Sequence, residues 1–364
     1  MNFRSHSSKA ATSTSIGCKS FGRTIVTGRQ SMQLGMTLVE LMVSITIGLF
    51  LVLGLVTLFA SMSSTRSELD KSSRQIENGR YAIQMLSDET RHAGYYGSLV
   101  NSPALPSSVT SLPDPCSTDL TVIRNSMGLP IQGYAGAASA TTLSAGNLGC
   151  LTNYMANTAV LVVRRASTNV GFSSASFNIQ VSGCAGDAAP YLVLGDSTAG
   201  NFTLHKNISP GCTPITGAAL ADITPYLTRI FFVSSCSTLT SSGACNDSVP
   251  TLKRIDIAPA GRTTTPLVEG IEDIQFDYGI DSSLDGAPDL YTSSATPTPT
   301  SLTDWQNVMT LRIYVLARNL DQTAGYTDTR TYQLGPVSFN PGGAYKRHAY
   351  SELVRINNPA GRRE

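Results

Sequence analysis

Hydrophobic positions along the chain change rhythm three times. From Leu41 to Ala60 they are continuous, LMVSITIGLFLVLGLVTLFA, with no charge and no proline. Twenty helical residues at ~1.5 Å each span a bilayer core of ~30 Å. Beyond Ser61, Leu69, Ile76 and Ile83 recur every seven residues and Leu86 follows by three. Glu68, Lys71, Arg74, Glu77 and Arg80 lie off that stripe, the pattern of an amphipathic helix. No proline precedes Pro103. The pattern therefore predicts one helix of roughly 55 residues, from about Met36 to about His92, with Gly94 as its stop.

The third rhythm is alternation. Strand-like runs occur at Leu120–Arg124, Ala159–Arg165, Pro190–Leu194 and Thr228–Val233. TAVLVVRRAS is continuous enough in apolar residues to predict a central strand. Ile274, Phe276 and Tyr278 alternate with Gln275 and Asp277, and Met309 to Ala317 alternates with Thr310, Arg312 and Tyr314. Both read as half-buried antiparallel strands, with a third through Tyr350–Ile356. This sheet is the expected receiver of the helix stripe. The fold class is thus α+β: a long N-terminal helix, half membrane span and half amphipathic, packed on an antiparallel sheet with a loop-rich β insertion. The segments are 1–35 as leader, 36–60 as span, 61–97 as amphipathic continuation, 98–251 as loop-rich β region, 252–357 as main sheet region and 358–364 as tail.

Composition changes the picture in two ways. Charged residues make up only 14% of the chain, as in extracytoplasmic, loop-rich β proteins. The net charge of +1 hides an asymmetry: Arg4, Lys9, Lys19, Arg23 and Arg29 precede the apolar run without an acid, leaving 21 basic against 25 acidic residues afterwards. No basic stripe follows, so direct nucleic-acid binding lacks an electrostatic footprint. A basic leader before one span orients the N-terminus to the cytoplasm. The run is longer than a secretory h-region and closes on no A-x-A site, so it is expected to be retained rather than cleaved off.

Seven cysteines occur; Cys18 lies in the leader, and Cys116, Cys150, Cys184, Cys212, Cys236 and Cys245 all follow the span. An even set in an exported chain predicts disulfides, with Cys236–Cys245 favoured as a small loop and the other pairings open. No C-x-x-C, G-x-S-x-G, H-E-x-x-H or Walker A motif occurs, and His92, His205 and His348 lack acidic or cysteine context, so neither catalysis nor a cofactor has support. Asp281, Ser283, Asp285 and Asp289, with Gly286, resemble the start of an EF-hand calcium loop, but Thr292 stands where a bidentate glutamate belongs, and a solvated turn explains the same residues.

Just ahead of the span stands Gly35-Met36-Thr37-Leu38-Val39-Glu40. A carboxylate at the edge of an apolar helix is costly in lipid and is normally functional or paired. Its candidate partner is the α-amino group of a neighbouring chain, exposed at Met36 by cleavage after Gly35; snorkelling to the interface is the plainer alternative.

G-x-T-L-V-E before an apolar run resembles the cleavage and methylation signal of type IV prepilins. That resemblance implies a peptidase cutting after Gly35, methylation of Met36 and an assembly role for Glu40. Met36 departs from the family's usual phenylalanine, the leader is long (Met32 as the start gives a short one), and the helix-kinking proline of many major pilins is absent near Thr57. The stretches Glu77–Gly97 (ENGRYAIQMLSDETRHAGYYG), LVEGIEDIQFDYGID, WQNVMTLRIYVLARN and YSELVRINN resemble the PilW family of minor pilins. This implies a non-enzymatic pilus protein, single-pass in the inner membrane with its C-terminal region periplasmic, later incorporated at the pilus tip. Its implied partners are other minor pilins, the major pilin, the prepilin peptidase and methylase, and the inner-membrane assembly platform. Adhesion, twitching or DNA uptake are the implied processes. A minor pseudopilin of a type II secretion system is the runner-up. A membrane-tethered enzyme or adhesin with an accidental prepilin-like start is the third reading.

Overall fold

The computed structural model describes residues 35–97, 99, 103–143, 148–182, 192–196, 198, 202–205, 208–209, 213–214, 220–293 and 295–361. The chain divides after Ser61 into two units. Helix α1, Leu38–Arg91, runs through that boundary without a break, including at Thr57, where the hydroxyl donates to the Gly54 carbonyl at 2.8 Å.

In the first unit the apolar side chains of α1 are bare. Leu49, Phe50, Leu55 and Phe59 are all more than 65% exposed. Ser44 and Thr46 donate to the carbonyls of Glu40 and Val43, so these hydroxyls do not stand unsatisfied in the apolar stretch.

The second unit holds two main antiparallel sheets. The larger comprises β1 (Ile131–Tyr134), β2 (Val160–Ala166), β3 (Phe177–Val181) and β4 (Leu192–Gly195). After the short pair β5 (Ile208–Ser209) and β6 (Thr213–Pro214), it gains β7 (Ile223–Ser234), β8 (Thr251–Ala258) and β9 (Gly261–Glu269). Strand β7 is its hub. Thr228 pairs with Arg164 of β2 and Ile257 of β8, while Tyr226 pairs with Ala166 of β2 and Phe177 of β3. Strand β2 therefore takes one edge of β7, and β3 and β8 share the other. The β7–β8 pairing also joins the loop-rich region to the stretch after residue 251. Strand β2 is central and buried, as its continuous apolar run predicts.

The smaller sheet runs β11–β10–β12–β15: β10 is Ile271–Ile280, β11 Leu290–Tyr291, β12 Val308–Arg318 and β15 Arg347–Arg355. A hairpin of β13 (Tyr332–Leu334) and β14 (Val337–Phe339) accompanies it. One core is built from Ala82, Ile83 and Leu86 of α1, Leu161 and Phe231 of the larger sheet, and Ile274, Phe276, Leu311 and Ile313 of the smaller. A second core covers the far face of the larger sheet, where Val160, Val162, Phe232 and Ile255 meet Ile123, Met127 and Leu151.

Three sequence expectations need correction. The run Leu120–Arg124 is not a strand but the start of helix α2, Leu120–Asn125, because the Asp119 carboxylate caps it by accepting from the Thr121 and Val122 amides at 2.7 and 3.3 Å. The heptad stripe is only half right. Ile83 and Leu86 are buried, but Leu69 is 65% and Ile76 40% exposed. The docked face runs instead through Gln75, Gly79, Ala82, Ile83, Leu86, Ser87 and Thr90. Strands β10 and β12 are also covered more fully than alternation predicts. Leu316 is buried with Tyr332 and Leu334 of the hairpin, and Gln275 donates to the Asn157 carbonyl at 2.9 Å.

Small and polar residues make the docked face because the helix approaches the sheets closely and is clamped by their backbones. A Cβ on Gly79 would lie 2.1 Å from Cε2 of Tyr350. Gln75 donates to the carbonyls of Ala317 and Lys346 at 2.9 and 3.0 Å, and Asn78 to that of Glu269 at 3.0 Å. Glu89 bonds Arg165 of β2 and Arg229 of β7. Burial alone raises its carboxyl pKa, but Arg165 and then Arg229 outweigh it and leave a net depression. Nearer the first unit, Glu68 is held down to about 2 by Lys346, Lys71 and Thr323.

Gly79→Ala gains about 1 kcal/mol of helix propensity but drives a methyl into Tyr350, an overpacking that costs about 1–3 kcal/mol. A lower melting temperature is expected, and in a Tyr350→Leu background the same substitution becomes stabilising.

Asp273, 2% exposed, has a pKa pushed up to about 8 by burial, which outweighs the hydrogen bond from Gln275. Below about pH 4 both folded and unfolded chains hold this proton. Between about 4 and 8 only the unfolded chain releases it, so stability falls by up to about 1.4 kcal/mol per pH unit. Thermal melts across this range should show Asp273→Asn matching the parent near pH 4 and exceeding it increasingly toward pH 8.

Candidate processing and assembly site

The start of α1 is built by four residues. Gly35, Met36 and Thr37 precede the helix without regular structure, and Met36 is 62% exposed. Thr37 caps the helix: its carbonyl accepts from the Leu41 amide at 3.1 Å and its hydroxyl from the Glu40 amide at 3.3 Å. Thr-x-x-Glu is a capping-box spacing, and a glutamate in the first turn also complements the helix dipole. Thr37 is thus a functional candidate that the sequence reading passed over, although its spacing from Glu40 was legible. Glu40 itself is exposed at the edge of the apolar surface. Gly35, Met36 and Glu40 therefore lie within six residues of one another along the chain, on an exposed segment.

The cysteines lie elsewhere, in the second unit. Cys116 is bonded to Cys150 and Cys236 to Cys245, with Cα separations of 5.8 and 5.6 Å. The second bridge closes a loop that Asp247 also ties, its carboxylate accepting from the amides of Ser237, Thr238 and Val249. Cys184 and Cys212 lie outside the described residues.

The calcium-like loop keeps its carboxylates occupied. Asp281, fully buried, accepts from the amides of Leu284, Asp285 and Gly286, and Asp289 from those of Ser282 and Ser283. Ser283 donates to Asp281, Asp285 accepts from the Ala287 amide, and the Thr292 hydroxyl accepts from the Tyr278 amide. These groups shape a turn between β10 and β11 rather than converge on a common point. Among the described residues no group of three or more His, Cys, Asp or Glu could hold a metal.

Comparison with known proteins fits this geometry. Residues 30–56 match the prokaryotic N-terminal methylation motif, which includes Gly35, Met36 and Glu40. Residues 230–358 match the family described as type IV pilus-assembly protein W. That match runs from β7 through β15 and into a short helix, Asn357–Gly361. No curated protein matches the chain. A solved type IV-like pilin from Thermus thermophilus aligns over 79% of this chain and 97% of its own, at 10% identity and a TM-score of 0.33. The fold class, a long apolar N-terminal helix continuing onto antiparallel sheets, rests on the elements described above. The chain thus carries a match to the prepilin-type motif at its start and a match to the PilW family over its sheet region.

Mass spectrometry of the protein purified from its membranes should find a mature N-terminus at Met36 carrying one added methyl group. An N-terminus upstream of Met36 would contradict the assignment of Gly35.

Proposed function

We propose that this protein is a minor pilin that takes part in priming and assembling a type IV pilus. The observation that carries the reading is the bare helix of the first unit. It presents an uncharged apolar surface twenty residues long, with a single carboxylate in its first turn. Monomeric soluble proteins rarely leave such a surface uncovered. Lipid covers it before assembly, with the second unit in the periplasm, and neighbouring helices cover it afterwards.

In this mechanism the prepilin peptidase cuts after Gly35 and the new amine at Met36 is methylated. A methylated secondary amine remains a cation at neutral pH. Glu40 of one subunit then neutralises the amine of a neighbour as both leave lipid for the helical bundle, where an unpaired charge is costly. The other minor pilins, the major pilin and the inner-membrane assembly platform are the partners, and a tip complex supporting adhesion, twitching or DNA uptake is the setting. The PilW-type match favours a pilus over a type II secretion machine, and deletion separates the two by loss of pili or of exoprotein secretion.

Glu40 now has two candidate roles, helix cap and counter-charge, and one substitution divides them. Glutamine serves the capping box as well as glutamate does but carries no charge. Glu40→Gln is expected to insert into the membrane normally yet leave cells without surface pili. Normal piliation by electron microscopy would reduce Glu40 to a cap.

A further inference from the structure

Strand β15 closes one end of the smaller sheet, and among the described residues its strand partner is β12 alone. The ladder shows which backbone groups are left over. The Asn319 amide donates to the Lys346 carbonyl at 3.0 Å and the Ile356 amide to the Met309 carbonyl at 2.8 Å, so the even-numbered residues of β15 bond β12. The amides and carbonyls of Arg347, Ala349, Ser351 and Leu353 therefore point away from the sheet. At Arg347 that outward carbonyl accepts from Arg330 at 3.2 Å. At Ala349, Ser351 and Leu353 no group among the described residues answers them. The same three residues are exposed, Leu353 by 49%.

Other edges of the two main sheets are blunted. Strands β1 and β4 have four residues each and β11 has two, while β9 carries Pro266. Short strands and proline are common protections against pairing with another chain. A nine-residue edge with neither proline nor bulge is instead a template for an added strand.

The groove at the start of β15 selects the chemistry of that strand. It has a volume of about 540 Å³ and lies between α1 and the first residues of β15. Arg80, Arg330, Lys346, Arg347 and His348 line it, and no aspartate or glutamate does. Arg330, Lys346 and Arg347 have carboxylate partners, but these partners are shared. Asp328 serves Arg330 and Arg347, Glu272 serves Arg347 and Arg318, and Glu68 serves Lys346 and Lys71. Arg80 has no ion pair among the described residues. The groove thus keeps an excess of positive charge, and Arg330, which lines it, also caps the first outward carbonyl of the edge.

We propose that β15 is a docking edge for an extended segment of another protein, added as a further strand opposite Ala349–Leu353 with an acidic end over the groove. The outward amides and carbonyls supply main-chain bonds, Leu353 supplies an apolar contact, and the groove selects for carboxylates. All of these residues belong to the second unit, so the inference stands apart from the membrane reading.

Fluorescence anisotropy of the full-length protein in detergent tests it, with a labelled peptide of alternating threonine and valine that ends in aspartates. Its counterparts carry lysines for the aspartates, prolines at alternate strand positions, or glycine and serine for the threonine and valine. The acidic strand peptide should bind about tenfold more tightly than each counterpart. Ser351→Pro should weaken it about tenfold, because the lost amide points outward and leaves the β12 ladder intact. Arg80→Glu should weaken it too, without weakening the lysine peptide. Hydrogen exchange of the parent protein should slow across Ala349–Leu353 when the peptide is bound, a readout that holds even if Ser351→Pro fails to fold. Thermal melts establish which variants are folded. Equal binding of the proline peptide, unchanged exchange at the edge, or unchanged affinity in folded Ser351→Pro overturns the docking edge. Equal binding of the glycine–serine peptide leaves a plain anion groove. Tighter binding of single-stranded oligothymidylate that is indifferent to Ser351→Pro assigns the groove to nucleic acid. Either of these results also overturns the proposal.

Discussion

Everything in this molecule depends on one helix having two different solvents. Over Leu41–Ala60 it offers an uncharged apolar surface to its surroundings, and over Gln75–Thr90 the same helix is clamped to two sheets. The apolar half cannot stay in water, since each fully exposed leucine or phenylalanine forgoes about 1.5–3 kcal/mol of transfer free energy. The docked half cannot be released cheaply, because Gln75, Asn78 and Glu89 are tied to sheet backbones and arginines. The apolar surface and the docked face are therefore parts of one continuous helix.

The docking is achieved with few large apolar residues. Gly79 lets the helix meet Tyr350, and Ala82, Ser87 and Thr90 keep the interface thin. Polar clamps at both ends compensate, Glu68 with Lys346 near one end and Arg91 with Glu352 near the other. The Glu68–Lys346 bond is partly buried and the Arg91–Glu352 bond is exposed, so the pair pins register more than it adds energy. The larger sheet is buried on both faces, so the cysteine-bearing region has a core of its own and its two described disulfides supplement that core.

Much of this was legible in the sequence, and the failures have identifiable causes. The long helix, the central strand β2 and the three long strands of the smaller sheet all followed from apolar spacing. Hydropathy could not find the docked face of α1, because Gln75, Gly79 and Ser87 are chosen for backbone contact and close approach, which no apolar period reports. Leu120–Arg124 was misread because its β-branched composition outweighed the capping aspartate at 119. The extra cover on β10 and β12 comes from segments distant in sequence, Asn157 and the 332–339 hairpin. At the start of α1 the Thr37 cap was legible in its spacing from Glu40; the roles of Gly35, Met36 and Glu40 come from the family resemblance and belong to the proposal.

The central claim is that lipid covers the apolar half of α1 before any filament exists. Alkaline carbonate extraction of membranes from cells unable to assemble pili tests it most directly. The full-length chain is expected to stay with the membrane pellet, as an integral protein does; its release into the supernatant would mean that lipid does not hold the helix.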